Sequence, residues 1–413
     1  MNFPYFVSKR LQIKSDYKSS VSGPIIKIAI TAIALGIIVM LIAFGTSLGL
    51  QTKIREKIAA FNGHVVITSF TSNVSKENLT PIDRRQNFYP EFNEVPEVSH
   101  IQATATKWGI IRTETDFEGV VLKGVDSLFN LDGFEDFIIE GHFPNLKSNR
   151  ASDEIMISEH LAHRLQLKVS DRLVMYFMRQ DSSKQLPRPV GFEIVGLYNS
   201  GFQDFDKTYV IGDLRQIQRL NNWEDYQIGQ FEVFIDDFSN IDKVAVKIYE
   251  SIGSFLNAKS IKAMYPSIFE WLKLFDINTL IILIIMVLVA GINMITALLV
   301  LILERRQMIG VFKAIGASNW TIRKVFLYNA VFIMLKGLVI GNIIGIGLLL
   351  LQQHFQLMPL DASSYYVTNV PVKLKLSYIL GVNLGTLFLC LLMLILPTYI
   401  VAKISPVKAL KFD

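Results

Sequence analysis

The sequence predicts an α-helical membrane protein: four transmembrane helices, with a large α+β extracytoplasmic domain inserted between the first and second. Three observations carry this. Apolar residues make up 51% of the 413-residue chain and the mean hydropathy is +0.37, more apolar than an ordinary soluble protein. The excess is concentrated in four runs, 24–50, 278–303, 325–351 and 376–402. Each exceeds the roughly 20 apolar residues that a spanning helix needs. The segment 51–277 between the first two runs has ordinary globular composition.

Charge gives the orientation. Residues 51–275 carry 25 Lys+Arg against 31 Asp+Glu, whereas the remainder carries 16 against 5. The basic excess therefore flanks the apolar runs and is not a nucleic-acid patch. It falls in the N-terminal segment 1–23 (Lys9, Arg10, Lys14, Lys18), the connection 304–324 and the tail 403–413 (Lys403, Lys408, Lys411). The positive-inside rule places these three in the cytosol, with both termini inside. The 51–277 domain and the short 352–375 loop then lie on the far side. The first run is longer than a signal-peptide core of about 7–15 residues, and no small-residue cleavage site follows, so it reads as an uncleaved helix. The single Cys390 sits inside an apolar run and cannot form an internal disulfide.

Within 51–277, strand-like runs occupy 64–70, 119–123, 154–157, 173–178, 192–196, 209–211 and 231–235. Helical spacing marks 158–167, 213–220 and 241–256. Ser158 or Asp153 caps the first of these helices, and Asp213 or Gly212 the second. A polar, loop-rich stretch at 71–100 suggests two lobes. Helical spacing also continues past the first run (Ile54, Ile58) and precedes the second (Ile268, Leu272, Phe275). Both membrane helices are therefore expected to extend as amphipathic stalks; the alternative is simple helix ends with Trp271 as an interface anchor.

The connection ERRQMIGVFKAIGASNWTIRK (304–324) reads as a short basic helix with an apolar stripe of Met308, Ile309, Phe312 and Ile315, ringed by Arg305, Arg306 and Lys313. Gly316 is its stop, and Ser318 or Asn319 caps the next helix. Gly337, Gly341 and Gly345 recur every fourth residue in the third run, and Gly45 and Gly49 in the first. This spacing lets helix backbones approach closely. Lys336 sits inside the third run, where an ionisable group is a functional candidate; the alternative is that it snorkels or pairs with a helix carbonyl or with Asn293 or Asn383.

Several chemistries are excluded. The chain has no P-loop, so it carries no ATP hydrolysis of its own, and no G-x-S-x-G. The Glu159-His160-x-x-His163 stretch matches no zinc motif and reads as a solvated helix face. No catalytic residue, metal ligand or resident cofactor is expected.

The layout and the 304–324 segment resemble the permease subunits of the MacB/FtsX superfamily of ABC transporters. Ile309-Gly310 and Lys313-Ala314-x-Gly316-Ala317 are similar to that family's coupling helix, with Met308 in place of its Glu; Pro406, Ala409 and Leu410 are similar to its C-terminal motif. Within the superfamily, three stretches resemble lipoprotein-releasing permeases of the LolC/LolE type: VLKGVDSLF (121–129), EIMISEHLAHRLQLKVSDRL (154–173, with Ser170 where the family has Gly) and FEIVGLYNSGFQDFDKTYV (192–210). The resemblance implies a separate ATPase, binding ATP and Mg, that docks on Arg305, Met308, Ile309, Gly310, Phe312, Lys313, Ala314 and Gly316. It implies a second permease copy, identical or a paralogue, in the inner membrane. It also implies a lipoprotein substrate entering from the outer leaflet between the first and second spans, and a periplasmic carrier recruited by a hairpin at 178–191 through Leu186, Pro187, Arg188 and Pro189. The alternative within the superfamily is a mechanotransmission subunit that drives a periplasmic partner without extracting lipid.

Overall fold

The computed structural model describes residues 3–13, 22–72, 80–113, 116–148, 150–178 and 187–403. The helices are α1 (Phe3–Ile13), α2 (Ser22–Asn62), α3 (Glu159–Leu165), α4 (Gln203–Asp206), α5 (Leu214–Asn221), α6 (Ile241–Ser251), α7 (Ile261–Met264), α8 (Pro266–Glu304), α9 (Arg306–Ala314), α10 (Asn319–Phe355), α11 (Ala362–Tyr365), α12 (Leu376–Thr398) and α13 (Ile400–Lys403). The strands are β1 (Val65–Ser69), β2 (Ile82–Asp83), β3 (Val98–Arg112), β4 (Phe117–Val125), β5 (Ile138–Gly141), β6 (Glu154–Ser158), β7 (Arg172–Phe177), β8 (Arg188–Tyr198), β9 (Tyr209–Asp213), β10 (Gln227–Ile228), β11 (Gln230–Ile235) and β12 (Leu256–Ser260). They form two compact units. A helical unit comprises Met1–Gln51, Trp271–Pro359 and Asn369–Asp413, and a sheet unit comprises Thr52–Glu270 with Leu360–Thr368.

In the helical unit, α2, α8, α10 and α12 are long and apolar enough to cross a membrane. Their shared core includes Ile33, Ile37, Met294, Leu298, Phe326 and Leu394. The outward faces stay apolar, as a lipid-facing surface requires: Ile284, Ile292, Ile343 and Leu384 are all exposed. α12 stops at Thr398 and α13 follows, so the run expected to be one helix to residue 402 is broken. Pro397 lies in its last turn, where the ring removes a hydrogen bond and crowds the preceding carbonyl.

In the sheet unit, ten strands form one sheet in the order β12-β1-β11-β3-β4-β9-β6-β8-β5, and β7 pairs with both β3 and β8. The pairings β3-β4-β9-β6-β8-β7-β3 therefore return on themselves. One ten-stranded sheet dominates the unit in place of the two lobes expected from the polar 71–100 stretch; among its described residues that stretch contributes β2, paired with β10 in a separate two-stranded sheet, and the start of β3. The β4·β9 and β6·β8 pairs are parallel and the rest antiparallel. Ser158 Oγ accepts from Leu161 N and Asp213 from Arg215 N, so these two residues cap α3 and α5. The helix expected over 241–256 ends at Ser251. Gly253 turns with φ +81°, and Leu256 already belongs to β12.

The longest strand, β3, has no sequence counterpart among the expected runs. Its centre is buried at consecutive positions, Ile101 to Ala105, although the residues there alternate apolar and polar as in a half-buried strand. Two of those positions, Gln102 and Thr104, are polar because they serve a buried carboxylate described below.

Ser170 holds φ +75° in the turn before β7. Left-handed backbone costs an L-residue roughly 1–2 kcal/mol. Ser170→Gly is therefore expected to stabilise the sheet unit by about 1 kcal/mol, read as a raised midpoint in thermal unfolding followed at Trp108 and Trp223.

His64 precedes β1. Its Nδ1 accepts from Ile235 N–H at 3.0 Å, and burial lowers its pKa to about 4. The unfolded chain holds this group near 6.5. Stability from the neutral ring is thus complete above pH 6.5 and is lost as pH falls from 6.5 toward 4, because the unfolded state binds the proton first. The expected slope is at most about 1.4 kcal/mol per pH unit. Unfolding midpoints across that window check it, with His64→Gln flattening the profile.

Candidate functional site

The connection between α8 and α10 is a short helix pinned on several sides. α8 ends at Glu304, and Arg305 interrupts the helix before α9 begins. After α9, Gly316 turns with φ +92° and Ser318 caps α10 by accepting from Thr321 N. Ala317 N–H donates to Phe312 O at 2.9 Å, and Lys313 Nζ donates to Val401 O at 2.7 Å. The latter places a cation on the last carbonyls of the fourth apolar helix region, where the helix dipole favours it.

The exposure pattern divides the expected docking stripe. Ile309 and Gly310 are buried, and Met308 and Phe312 pack against the helical core. Phe312 also meets Phe3 of α1 edge-to-face at 5.7 Å. Met308, Ile309 and Phe312 of the stripe thus anchor α9 to its own unit. The exposed residues here are Gln307, Val311 and Ala314 and, from the stripe itself, Ile315, with Val311 46% and Ile315 73% exposed. Of the other expected docking residues, Arg305 and Lys313 are half-buried and Gly316 is exposed. A helical stripe read from sequence identifies an apolar face but not what covers it. α1 has no counterpart among the expected elements, since segment 1–23 reads only as short and basic, yet Tyr5 lies 6.0 Å from Tyr328 and 5.9 Å from Phe332 of α10, ring to ring.

The glycines sit where helices meet. A Cβ at Gly337 would lie 2.8 Å from Ile33, at Gly341 2.8 Å from Ile37, and at Gly345 3.0 Å from Leu41, so α2 and α10 run in parallel at close approach. Gly45 faces Leu349 of α10, whereas Gly49 faces the backbone of Pro371 in the segment before α12. Asn383, considered as a partner for Lys336, instead exchanges amide hydrogen bonds with Asn342 at 2.6 and 2.9 Å. This joins α12 to α10.

On another side of the helical unit, α2, α8 and α12 enclose an apolar cavity of about 490 Å³. Phe44, Leu283, Val287, Val382 and Leu389 line it, with Tyr378 stacked on Phe44 at 5.6 Å. Such a cavity accepts a hydrocarbon chain and offers little to a polar solute.

In the sheet unit, the last turn of α2 is held by a buried network. The Phe61 ring packs against Phe205 (4.7 Å), Phe134 (5.3 Å) and Tyr198 (5.7 Å). Lys123 Nζ donates to Phe61 O and to Glu232. Glu232 also accepts from Gln102 (2.8 Å), Thr104 (3.0 Å) and Gln230 (3.0 Å). Lys123 and Glu232 are 1% and 0% exposed, so each charge depends on the other. Lys123 is the lysine of the LKGVD stretch.

The NSGFQDFD stretch forms a second node. Asp206 accepts from Ser200 Oγ (2.6 Å) and Ser200 N (3.1 Å). Burial raises its pKa, while the Ser200 hydrogen bonds and the charge of Lys57 pull it back down. Gly201 holds φ +65°, and a Cβ there would lie 2.7 Å from Lys57 Nζ. Lys57 Nζ donates to Tyr366 O at 3.1 Å, and the Tyr366 ring stacks on Phe202 at 4.5 Å. Residues 360–368 of the loop before α12 are therefore part of the sheet unit, a role that their polar composition did not signal.

The hairpin reading also changes. β7 and β8 pair with Phe177 opposite Arg188 and Tyr176 opposite Pro189. Arg188 and Pro189 are thus in the ladder, and Arg188 Nη1 donates to Arg219 O at 3.3 Å. Pro187 lies just before β8, and Leu186 lies outside the described residues, as does the C-terminal stretch 404–413.

Two family models match the chain: the MacB-like periplasmic core domain over residues 28–250 and the FtsX-like permease C-terminal region over residues 280–406. Among curated proteins, the lipoprotein-releasing system transmembrane protein LolE of Haemophilus influenzae is 21% identical over 99% of both chains. LolC of Buchnera aphidicola is 24% identical over 94% of this chain and 93% of its own. LolC of Neisseria meningitidis is 21% identical over 94% of each. With the first model covering more than half its length and the second most of the remainder, the chain belongs to the family of FtsX-like permeases that carry a MacB-like periplasmic core domain.

Proposed function

We propose that this protein is a permease subunit of an inner-membrane ABC transporter that extracts lipoproteins from the outer leaflet and passes them to a periplasmic carrier. The observation that carries the reading is the end-to-end similarity to LolE of Haemophilus influenzae, a lipoprotein-releasing system protein. ATP is hydrolysed by a separate ATPase subunit, and a second permease copy supplies the other half of the membrane pathway. Both termini and α9 face the cytosol, where the exposed Val311, Ala314 and Ile315 receive the ATPase.

The mechanism follows from what each part is tied to. ATPase closure pushes α9. Its buried stripe and the Lys313 contact pass the push to the packed helices rather than letting α9 tilt alone. The glycine contacts make α2 and α10 move together. α2 is one unbroken helix from Ser22 to Asn62, so its motion reaches Phe61 and the Lys123–Glu232 network. The substrate's acyl chains occupy the apolar cavity beside Phe44 until that motion expels them. Transfer of each methylene out of hydrocarbon costs about 0.8 kcal/mol. Several chains therefore demand the energy of ATP.

The alternative is mechanotransmission without lipid extraction, which the rigid anchoring of α2 at Phe61 also suits. Tagged protein isolated in mild detergent, with mass spectrometry of proteins and acylated species, separates the two. An ATPase with triacylated lipoproteins is expected. An ATPase without them would support mechanotransmission, and no ATPase would contradict both readings.

A further inference from the structure

We infer that the helical unit carries a binding site for the phosphate of an anionic phospholipid, between the start of α2 and the middle of α10. A cavity of about 180 Å³ there is lined by Lys27, Ile30, Asn329, Ile333 and Lys336. Both lysines lie within apolar runs, and Gly337, next to Lys336, packs against Ile30 and Ile33. Lys336 is therefore level with Ile30, about one helical turn from Lys27. Among the described residues neither lysine makes a hydrogen bond or an ion pair.

Two lysines lining one cavity bring like charges to it, and a lysine charge left without an anion is costly in hydrocarbon. One anion shared between them offsets both costs. The isoleucines and the membrane setting select the anion. A lipid phosphate already resides at the interface with its acyl chains along an apolar wall, whereas a soluble anion must leave water to reach the same point. Basic pockets between spanning helices bind anionic headgroups by this logic. Zwitterionic lipids compete poorly because their own ammonium opposes the lysines. Placing the site in the cytosolic leaflet rests on the orientation proposed above; the binding itself does not, and its readout is independent of any ATPase.

The test is native mass spectrometry of the delipidated full-length protein, titrated with phosphatidylglycerol or phosphatidylcholine. Wild type is compared with K27Q/K336Q, with the charge-keeping K27R/K336R, and with K324Q outside the cavity. Phosphatidylglycerol affinity is expected to fall about tenfold or more in K27Q/K336Q and to hold in the other two variants. Equal phosphatidylglycerol binding by wild type and K27Q/K336Q would overturn the site. Phosphatidylcholine binding as tightly as phosphatidylglycerol, or full displacement by inorganic phosphate, would overturn its assignment to anionic lipid.

Discussion

V311D/I315D is expected to abolish ATPase association while leaving the permease folded. Val311 is 46% and Ile315 73% exposed on α9, so two carboxylates there remain in water in the isolated chain. In the complex they would be desolvated at what is otherwise an apolar contact. Losing the burial of two aliphatic side chains removes about 3 kcal/mol or more. That alone weakens binding at least 100-fold before any desolvation of the new charges. Ile309 is no substitute for this test. It is 0% exposed, and a carboxylate there would damage the helical core itself. The check is co-purification of the ATPase with wild type and V311D/I315D at matched expression and matched melting temperature. Undiminished ATPase binding by V311D/I315D would move the docking surface off this face of α9.

Lys123→Met is expected to destabilise the sheet unit by about 3–5 kcal/mol, the usual cost of stranding one member of a buried ion pair. Glu232 would keep its Gln102, Thr104 and Gln230 donors but lose its only countercharge among the described residues, and Phe61 O would lose its donor. K123M/E232Q is expected to recover much of the loss, because a neutral amide still accepts from Thr104 and no longer needs a cation. Denaturant unfolding followed at Trp108 and Trp223 measures both variants. A Lys123→Met midpoint within about 1 kcal/mol of wild type would show that the pair is not what secures the end of α2. Because the network holds Phe61, Lys123→Met is also expected to leave ATPase binding intact while lowering lipoprotein release. That split would not follow from damage to the cytosolic contact.

The membrane layout was legible in the sequence because a spanning helix must be apolar over its whole length, so composition alone reports it. Caps were legible too. Ser158, Asp213 and Ser318 announce helix starts through local chemistry that needs no tertiary context. What failed was whatever depends on a distant partner. β3 carries a period-two signal, Ile101-Gln102-Ala103-Thr104-Ala105-Thr106, that the expected runs leave out; what no local pattern shows is that its polar positions Gln102 and Thr104 are buried to serve Glu232, some 130 residues away in the chain. The docking stripe divides, with Ile315 exposed and Phe312 turned toward Phe3 and the helical core, a contact invisible to helical spacing. The Lys123 and Asp206 motifs were visible only as family likeness. Their physical reasons, a countercharge under Phe61 and a carboxylate closing the Ser200 loop, appear once the sheet brings the partners together.

The most direct measurement is lipoprotein transfer from proteoliposomes containing this permease, its partner copy and the ATPase, with soluble carrier outside. ATP is expected to move triacylated lipoprotein onto the carrier, and V311D/I315D proteoliposomes are expected to retain it. An assembled complex that hydrolyses ATP while the same amount of lipoprotein stays in the bilayer with and without nucleotide would contradict extraction as its function.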